Sequence, residues 1–442
     1  MLPSQIDVTS VKIFASENNG VDVGYIFSSL RIRESIVHEF ISGDITIEDD
    51  SNLYESLPII GQERIEITIK HNDVEEVISG FVYALKEFQK IDARRSTYIL
   101  YFVSVEKYFN QNNRVARAFT NTAPHDAINS IFKSDIITKK RIIIEAMSGN
   151  ISFIAPNITP FQTIKSILRQ CESLSNNTSN FLFFENRRGF IIASMASLLT
   201  QKVSYEYGYK ENIGGDNVDT TSERHDAFTI ENFQVIKQTD TISAMSNGMF
   251  ASQLRSIDLI TRKYGTNNEV YDYDYHTEFE TFRHLNSIPL YKKLTGISDN
   301  AEGRQYFAYS NEKALENDYV KTNQSDMTVD FSSRTRLRNK IQNSMIDAYA
   351  FKLIIPGNIL LYPSNVIHLN IISNLTGEKD IMLSGNVLVT SITHIISNAD
   401  RTYKQVIETA KDSHDIDPYE SVDSHVRRVQ EKISRLHKGY DV

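Results

Sequence analysis

Isoleucine recurs at every second position in Ile65, Ile67 and Ile69, with Glu66, Thr68 and Lys70 between them. A period of two sends alternate side chains to opposite faces of an extended chain, so the segment predicts a strand with one dry face and one wet face. Ile45 and Ile47 begin a second alternating segment that runs into Asp49-Asp50-Ser51, and Thr97 to Val105 is β-branched and aromatic. Gly61 interrupts the apolar Pro58-Ile59-Ile60 approach, and Gly80 precedes Phe81, Tyr83 and Leu85. Short strands at this spacing favour a small barrel or sandwich over a parallel nucleotide-binding sheet, and define a first β domain over residues 1–111.

The period changes near residue 112. Asn121-Thr122-Ala123-Pro124 precedes Ala127, Ile128 and Ile131, and Thr159-Pro160 precedes Phe161, Ile164, Ile167 and Leu168. Thr159 suits a helix N-cap with Pro160 at the first helical position, and the apolar spacing supplies a buried face. With Phe181 to Phe184 and Phe190 to Ala193 as strands, residues 112–195 read as an α/β domain. Cys171 is expected in a helix of this domain.

Residues 196–345 read as a mixed region that carries strands of a second β domain, including Phe228 to Gln238, together with an inserted α/β segment. Residues 211–227, rich in Gly, Asn, Asp and Thr, predict an exposed loop, and 297–328 a polar connection. Residues 346–410 hold the main part of the second β domain: Ala350 to Ile355, the Gly357 turn, Val366 to Ile372, then Gly385 before Val387 to Ile396. Residues 411–442 form a tail. In it Val422, Val426, Val429, Ile433 and Leu436 repeat at heptad spacing, which predicts an amphipathic helix that either docks on its own subunit or pairs with a partner. The fold class is therefore mainly β with α/β insertions and a C-terminal amphipathic helix. At about 150 residues per domain, 442 residues accommodate roughly three domains.

The same sequence argues against most chemistry. Its single cysteine excludes an intramolecular disulfide and a multi-cysteine metal cluster. His38-Glu39 lacks the second histidine of a zinc-binding helix, and His276 and His284 stand apart from any acidic ligand set. Asp272, Asp274, Glu278 and Glu280 alternate with aromatic residues as a strand would, so no metal ligand is assigned. Glu75-Glu76, Asp49-Asp50 and Asp415-Asp417 read as solvated charges rather than a paired acid and base. There is no phosphate-binding glycine loop. No catalytic residue, cofactor or cofactor-binding residue is assigned, and the chain is read as no enzyme.

A formal charge of −9, from 47 Lys and Arg against 56 Asp and Glu, offers no general attraction for nucleic acid. The sharpest basic pattern is Arg334, Arg336, Arg338 and Lys340, with Arg31 and Arg33 a smaller counterpart. On a strand from Ser332 to Gln342 this spacing aligns several positive groups, which suits a charged seam between subunits or a solvated face. No signal-peptide pattern opens the sequence and no segment has the length and apolarity of a membrane-spanning helix, so assembly in cytoplasm is expected.

Taken in order, several segments resemble the central baseplate hub protein family of contractile-tailed phages, represented by the T-even phage baseplate. They are Ile45 to Ile69, Ile158-Thr159-Pro160-Phe161-Gln162-Thr163-Ile164, Gly248-Met249-Phe250-Ala251-Ser252 with Leu254 and Asp258, Ile355-Pro356-Gly357-Asn358, and Ser384 to Ile392. The resemblance extends over most of the chain, to about residue 410. It implies two tail-tube-like β-barrel domains per chain and a homotrimeric, pseudo-sixfold ring. That ring would join the sixfold tail tube, or a tube-initiator protein, to the threefold central spike, with wedge proteins around it. It also implies a channel for DNA ejection with only transient, non-specific DNA contact, and a place in the virion's tail baseplate. An equivalent hub of a bacterial contractile injection or secretion particle would share the ring. A β-rich carbohydrate-binding or hydrolytic protein would instead show a concave pocket with converging acids or aromatics.

Overall fold

The computed structural model describes residues 7–417, except 17–18, 58, 72–73, 93, 177, 210–227, 259–262, 265–269, 276–278, 281, 292–304, 311–338, 347 and 373–378, together with residues 426 and 430. The period-two segments fold as strands. They are β1 (Asp7–Ser16), β2 (Asn19–Asp22), β3 (Phe27–Ser35), β4 (Ser42–Asp49), β5 (Arg64–His71), β6 (Val74–Lys90) and β7 (Ser96–Ser104). They pair antiparallel in the order β2-β1-β5-β6-β7-β4-β3. Ile45, Ile47, Ile65, Ile67 and Ile69 all point into one core with Leu30, Leu100 and Phe102. Each fully buried isoleucine is worth about 1.5–3 kcal/mol, so the alternation alone fixes the sheet's inner face.

A second set of seven strands uses both halves of the remaining sequence. Thr229–Ile230, Val203–Tyr209, Val366–Asn370, Gly385–Ser397, Thr402–Lys411, Tyr349–Pro356 and Asn232–Lys237 follow one another as paired neighbours. Glu231 separates the first of these strands from the last, and its amide bonds the Ile354 carbonyl. The unit therefore wraps almost onto itself, with a break at Glu231 where the chain crosses from one neighbour to the other. This is a barrel-like wrap and not an uninterrupted closed barrel.

The two units are joined through a shared strand. Strand Gly385–Ser397 is long enough to take Val366–Asn370 at its start, Thr402–Lys411 along one edge, and β3 along the other from Ser391↔Ser35 to Ser397↔Ser29. All fourteen strands thus form one sheet. Ile359, Ile396 and Tyr403 from the second unit are buried in the first unit's core.

The α/β domain sits over this joint. Helices Val105–Asn112, Pro124–Ile131 and Pro160–Leu168 and the strand pair Phe181–Asn186 and Gly189–Ser194 enclose their own core of Ile128, Ile131, Ile164, Ile167, Phe183 and Phe190. Thr159 and Gln162 form a capping box at the start of the third helix, with Pro160 at its first turn. Cys171 lies beyond the end of that helix, buried, with its Sγ 3.1 Å from the Ile167 carbonyl. A small sheet of Lys263–Tyr264, Ala251–Asp258, Val270–Asp274 and Gln305–Ser310 flanks the second unit. Gln305–Ser310 is a strand where the sequence reads as polar connection, because Tyr306, Phe307 and Tyr309 lie in a parallel pairing with Leu254 to Ile257.

Candidate functional site

Where the three parts meet, a buried polar cluster replaces apolar packing. The turn Asn186-Arg187-Arg188-Gly189 carries the α/β domain down onto the joint, and it needs glycine at 189 both for the φ of +123 and because a Cβ there would strike the Arg141 carbonyl. The Arg187 side chain, 3% exposed, then reaches into the seam. Its Nε bonds Glu34 on β3 at 2.5 Å, its Nη1 bonds Glu76 on β6 at 2.7 Å, and its Nη2 donates to the Leu361 carbonyl at 3.0 Å. One side chain so ties the first unit, the α/β domain and the second unit together.

Glu34 is itself a hub of bonds. It accepts from the Arg187 amide at 3.2 Å, and its Oε1 lies 3.2 Å from His394 Nε2. His394 Nδ1 is 2.8 Å from Tyr403 Oη, and Gln405 Nε2 donates to Tyr403 Oη at 2.9 Å and to the Asn358 carbonyl at 2.8 Å. With Gln405 donating to it, the Tyr403 hydroxyl donates a hydrogen bond to Nδ1 and Nε2–H donates to Glu34, which fits a neutral imidazole. Burial alone pushes the Glu34 carboxyl up, but the Arg187 charge and the His394 bond outweigh it and hold the pKa down at about 2. Burial, with Arg187 beside it, pushes His394 below its ordinary value. The cluster is a charged carboxylate and guanidinium with a neutral histidine behind them, an arrangement for fixing geometry rather than moving protons.

A second buried ion cluster locks the α/β domain to the first unit. Lys140 bonds Glu106 at 2.7 Å and also Glu185, whose other oxygen accepts the Ile41 amide at 3.0 Å. Around Asp412, His284 Nδ1 at 2.8 Å and the Leu285 amide at 3.1 Å anchor the small sheet's outgoing loop to the end of the second unit. His284, stacked 3.7 Å on Phe279, is a packed residue. Among the described residues no group of three or more His, Cys, Asp or Glu could hold a metal ion.

The residues singled out from sequence fare differently. Val426 is helical and half exposed, whereas Val422, Val429, Ile433 and Leu436 lie outside the described residues. So do Arg334, Arg336 and Arg338. Lys340 is described, on a helix at 339–346, so the strand alternation assumed for Ser332 to Gln342 does not reach it. Arg31 and Arg33 do share a strand face, and both bond Asp44 on β4, at 2.7 and 2.5 Å. In each of two charge pairs read as solvated, one member is not, although Asp50 and Glu75 are exposed. Asp49 is buried and caps the turn Leu53–Ser56 by accepting from the Leu53 and Tyr54 amides at 2.9 and 3.0 Å, and Glu76 is the Arg187 partner. The predicted loop at 211–227 lies outside the described residues.

A cleft of about 1110 Å³ lies between the α/β domain and the second unit. Val37, Leu168, Phe181 and Ile236 line it, and Glu408 is the one carboxylate among its described lining residues. No helix among the described residues is long and apolar enough to cross a membrane.

No family model matches the chain. Among curated proteins, it is 23% identical over 269 residues to the probable baseplate hub protein of Vibrio phage KVP40, a match that covers 60% of this chain and 61% of that protein. The chain therefore matches about three fifths of that relative's length. Among solved structures, the tail protein from Neisseria meningitidis MC58 superposes with a TM-score of 0.55 at 10% identity, covering 91% of this chain and 96% of that one. The 43 kDa tail protein of prophage MuSo2 from Shewanella oneidensis does so with a TM-score of 0.56 at 11% identity, covering 92% and 99%. At such identities these two establish the fold, and the Vibrio phage protein adds the sequence link. The chain thus resembles the baseplate hub proteins of phage tails, as the order of its segments implies.

Proposed function

We propose that the chain is the central hub of a contractile tail baseplate, in which three copies form a ring that joins a sixfold tail tube to a threefold spike. The observation that supports this best is the fusion of two seven-strand units into one sheet through Gly385–Ser397. A trimer of such chains presents six β units around one axis, which is what a threefold-to-sixfold adaptor needs. The Arg187 cluster would keep the two units at a fixed angle within each copy. Exposed apolar groups along β6, namely Val77, Tyr83 and Phe88, with Ile91 just past its end, give this strand the character of a protein contact surface.

In this reading the protein works by shape, with no turnover. DNA would pass through the ring's lumen with only transient contact, in keeping with the net negative charge. The C-terminal residues Val422, Val426, Val429, Ile433 and Leu436 would add to trimer or spike contacts, and Arg334, Arg336, Arg338 and Lys340 to a charged seam. The test is absolute mass by light scattering across a concentration series, followed by imaging. A species of three chain masses with a central pore supports the hub. A chain that remains monomeric alone and after mixing with its particle's tube and spike proteins overturns it.

A further inference from the structure

A smaller cavity, about 260 Å³, opens beside the joint between β6, β7 and the 186–189 turn. Its inner wall holds Arg187 and Lys140, each already matched by two carboxylates. Its mouth differs. Arg141 and Arg188 both line it and are exposed. They are neighbours across a parallel pairing, because the Phe190 amide bonds the Arg141 carbonyl at 2.9 Å and Phe190 aligns with Ile142. Arg188 is steadied by lying 3.9 Å over the Tyr362 ring. The Arg141 side chain has no hydrogen bond or ion pair among the described residues. Ser79 and Asn186 also line the cavity, as does Glu76, whose carboxylate is held by Arg187.

Two guanidinium groups flanking one opening match a planar carboxylate, which can take two parallel N–H donors from each. The cavity is below the roughly 300–1,000 Å³ of drug-sized ligand sites, and suits a single acidic side chain or a small dicarboxylate. We propose that it is a carboxylate socket, filled on assembly by an Asp or Glu side chain of a second copy of the chain. The chain carries 56 Asp and Glu against 47 Lys and Arg, so a second copy is a ready source of a carboxylate for this basic mouth. The second copy as source rests on the ring reading above; the socket does not.

The test uses the full chain, the variant R141Q and the double variant R141Q/R188Q, each checked for an unchanged melting profile. R141Q removes a side chain with no described partner, so it keeps the test open if the double variant folds poorly. Succinate is titrated into dilute protein by calorimetry, and mass is followed by light scattering as concentration rises. The expected result is succinate binding to the unaltered chain and about tenfold weaker binding to the variants. Variants that also assemble less, with succinate opposing assembly of the unaltered chain, identify a second copy as the source. Weaker succinate binding with unchanged assembly identifies a free small acid. Succinate binding by a chain that never assembles keeps the socket and removes the ring. Variants equal to the unaltered chain in both readouts overturn the socket.

Discussion

Arg187 is the residue on which the joint depends most. Replacing it with methionine leaves Glu34 ionised, buried and without its main partner, a type of change that costs about 3–5 kcal/mol. R187M should therefore lower the urea midpoint sharply, and adding Glu34→Gln should recover part of the loss. The same pair gives a pH signature. Glu34 is held at about 2 when folded against 4.5 ordinarily, so its contribution is complete above pH 4.5 and is lost as pH falls toward 2. That shift corresponds to roughly 3 kcal/mol. His394, also depressed, acts in the same direction as pH falls through its ordinary value of 6.5. Acid denaturation of E34Q should accordingly be shallower than that of the unaltered chain below pH 4.5; equal slopes would show that Glu34 contributes nothing to folding. None of this is legible in sequence. Arg187 follows a strand in an ordinary turn, and its partners are 153, 111 and 174 residues away. Glu76, beside Glu75 in a polar run, reads as solvent-facing for the same reason.

Elements whose signals are local are legible. Ile65, Ile67 and Ile69 carry their own burial pattern, and Thr159-Pro160 announces its helix because a cap is made within four residues. Thr159→Ala should cost about 1 kcal/mol in thermal or chemical unfolding, and Thr159→Ser should keep most of it. Gly43 on β4 is subtler: a Cβ there would meet the Phe102 ring and the Arg31 carbonyl of the neighbouring strand. Backbone cannot yield as a side chain can, so Gly43→Ala should destabilise by about 1–3 kcal/mol, measured as a lower melting midpoint. Gln305–Ser310 shows the opposite case. Its surroundings are polar, and its strand exists through parallel pairing with Ala251–Asp258, a contact that no local period announces.

At the scale of the molecule, both β-rich regions are visible in sequence but their union is not, since β3 and Ser391–Ser397 have no mutual signature along 360 residues of chain. The union makes a firm demand on folding. Residues 1–200 without the rest would leave β3 with an open ladder edge, remove Ile359, Ile396 and Tyr403 from the first core, and take His394 from Glu34 and the Leu361 carbonyl from Arg187. An open edge above a core with missing side chains favours intermolecular pairing, so this fragment should aggregate or show weak amide protection in β3 and β4. Residues 201–442 supplied in trans restore the missing strand and both polar partners, and should rescue solubility and protect the β3 amides from exchange. A fragment 1–200 that is monomeric and as protected alone as in the full chain would mean that the shared strand is a contact between finished domains. The two β units would then be free to change angle, and a rigid ring built from three copies would need its stiffness from the subunit contacts instead.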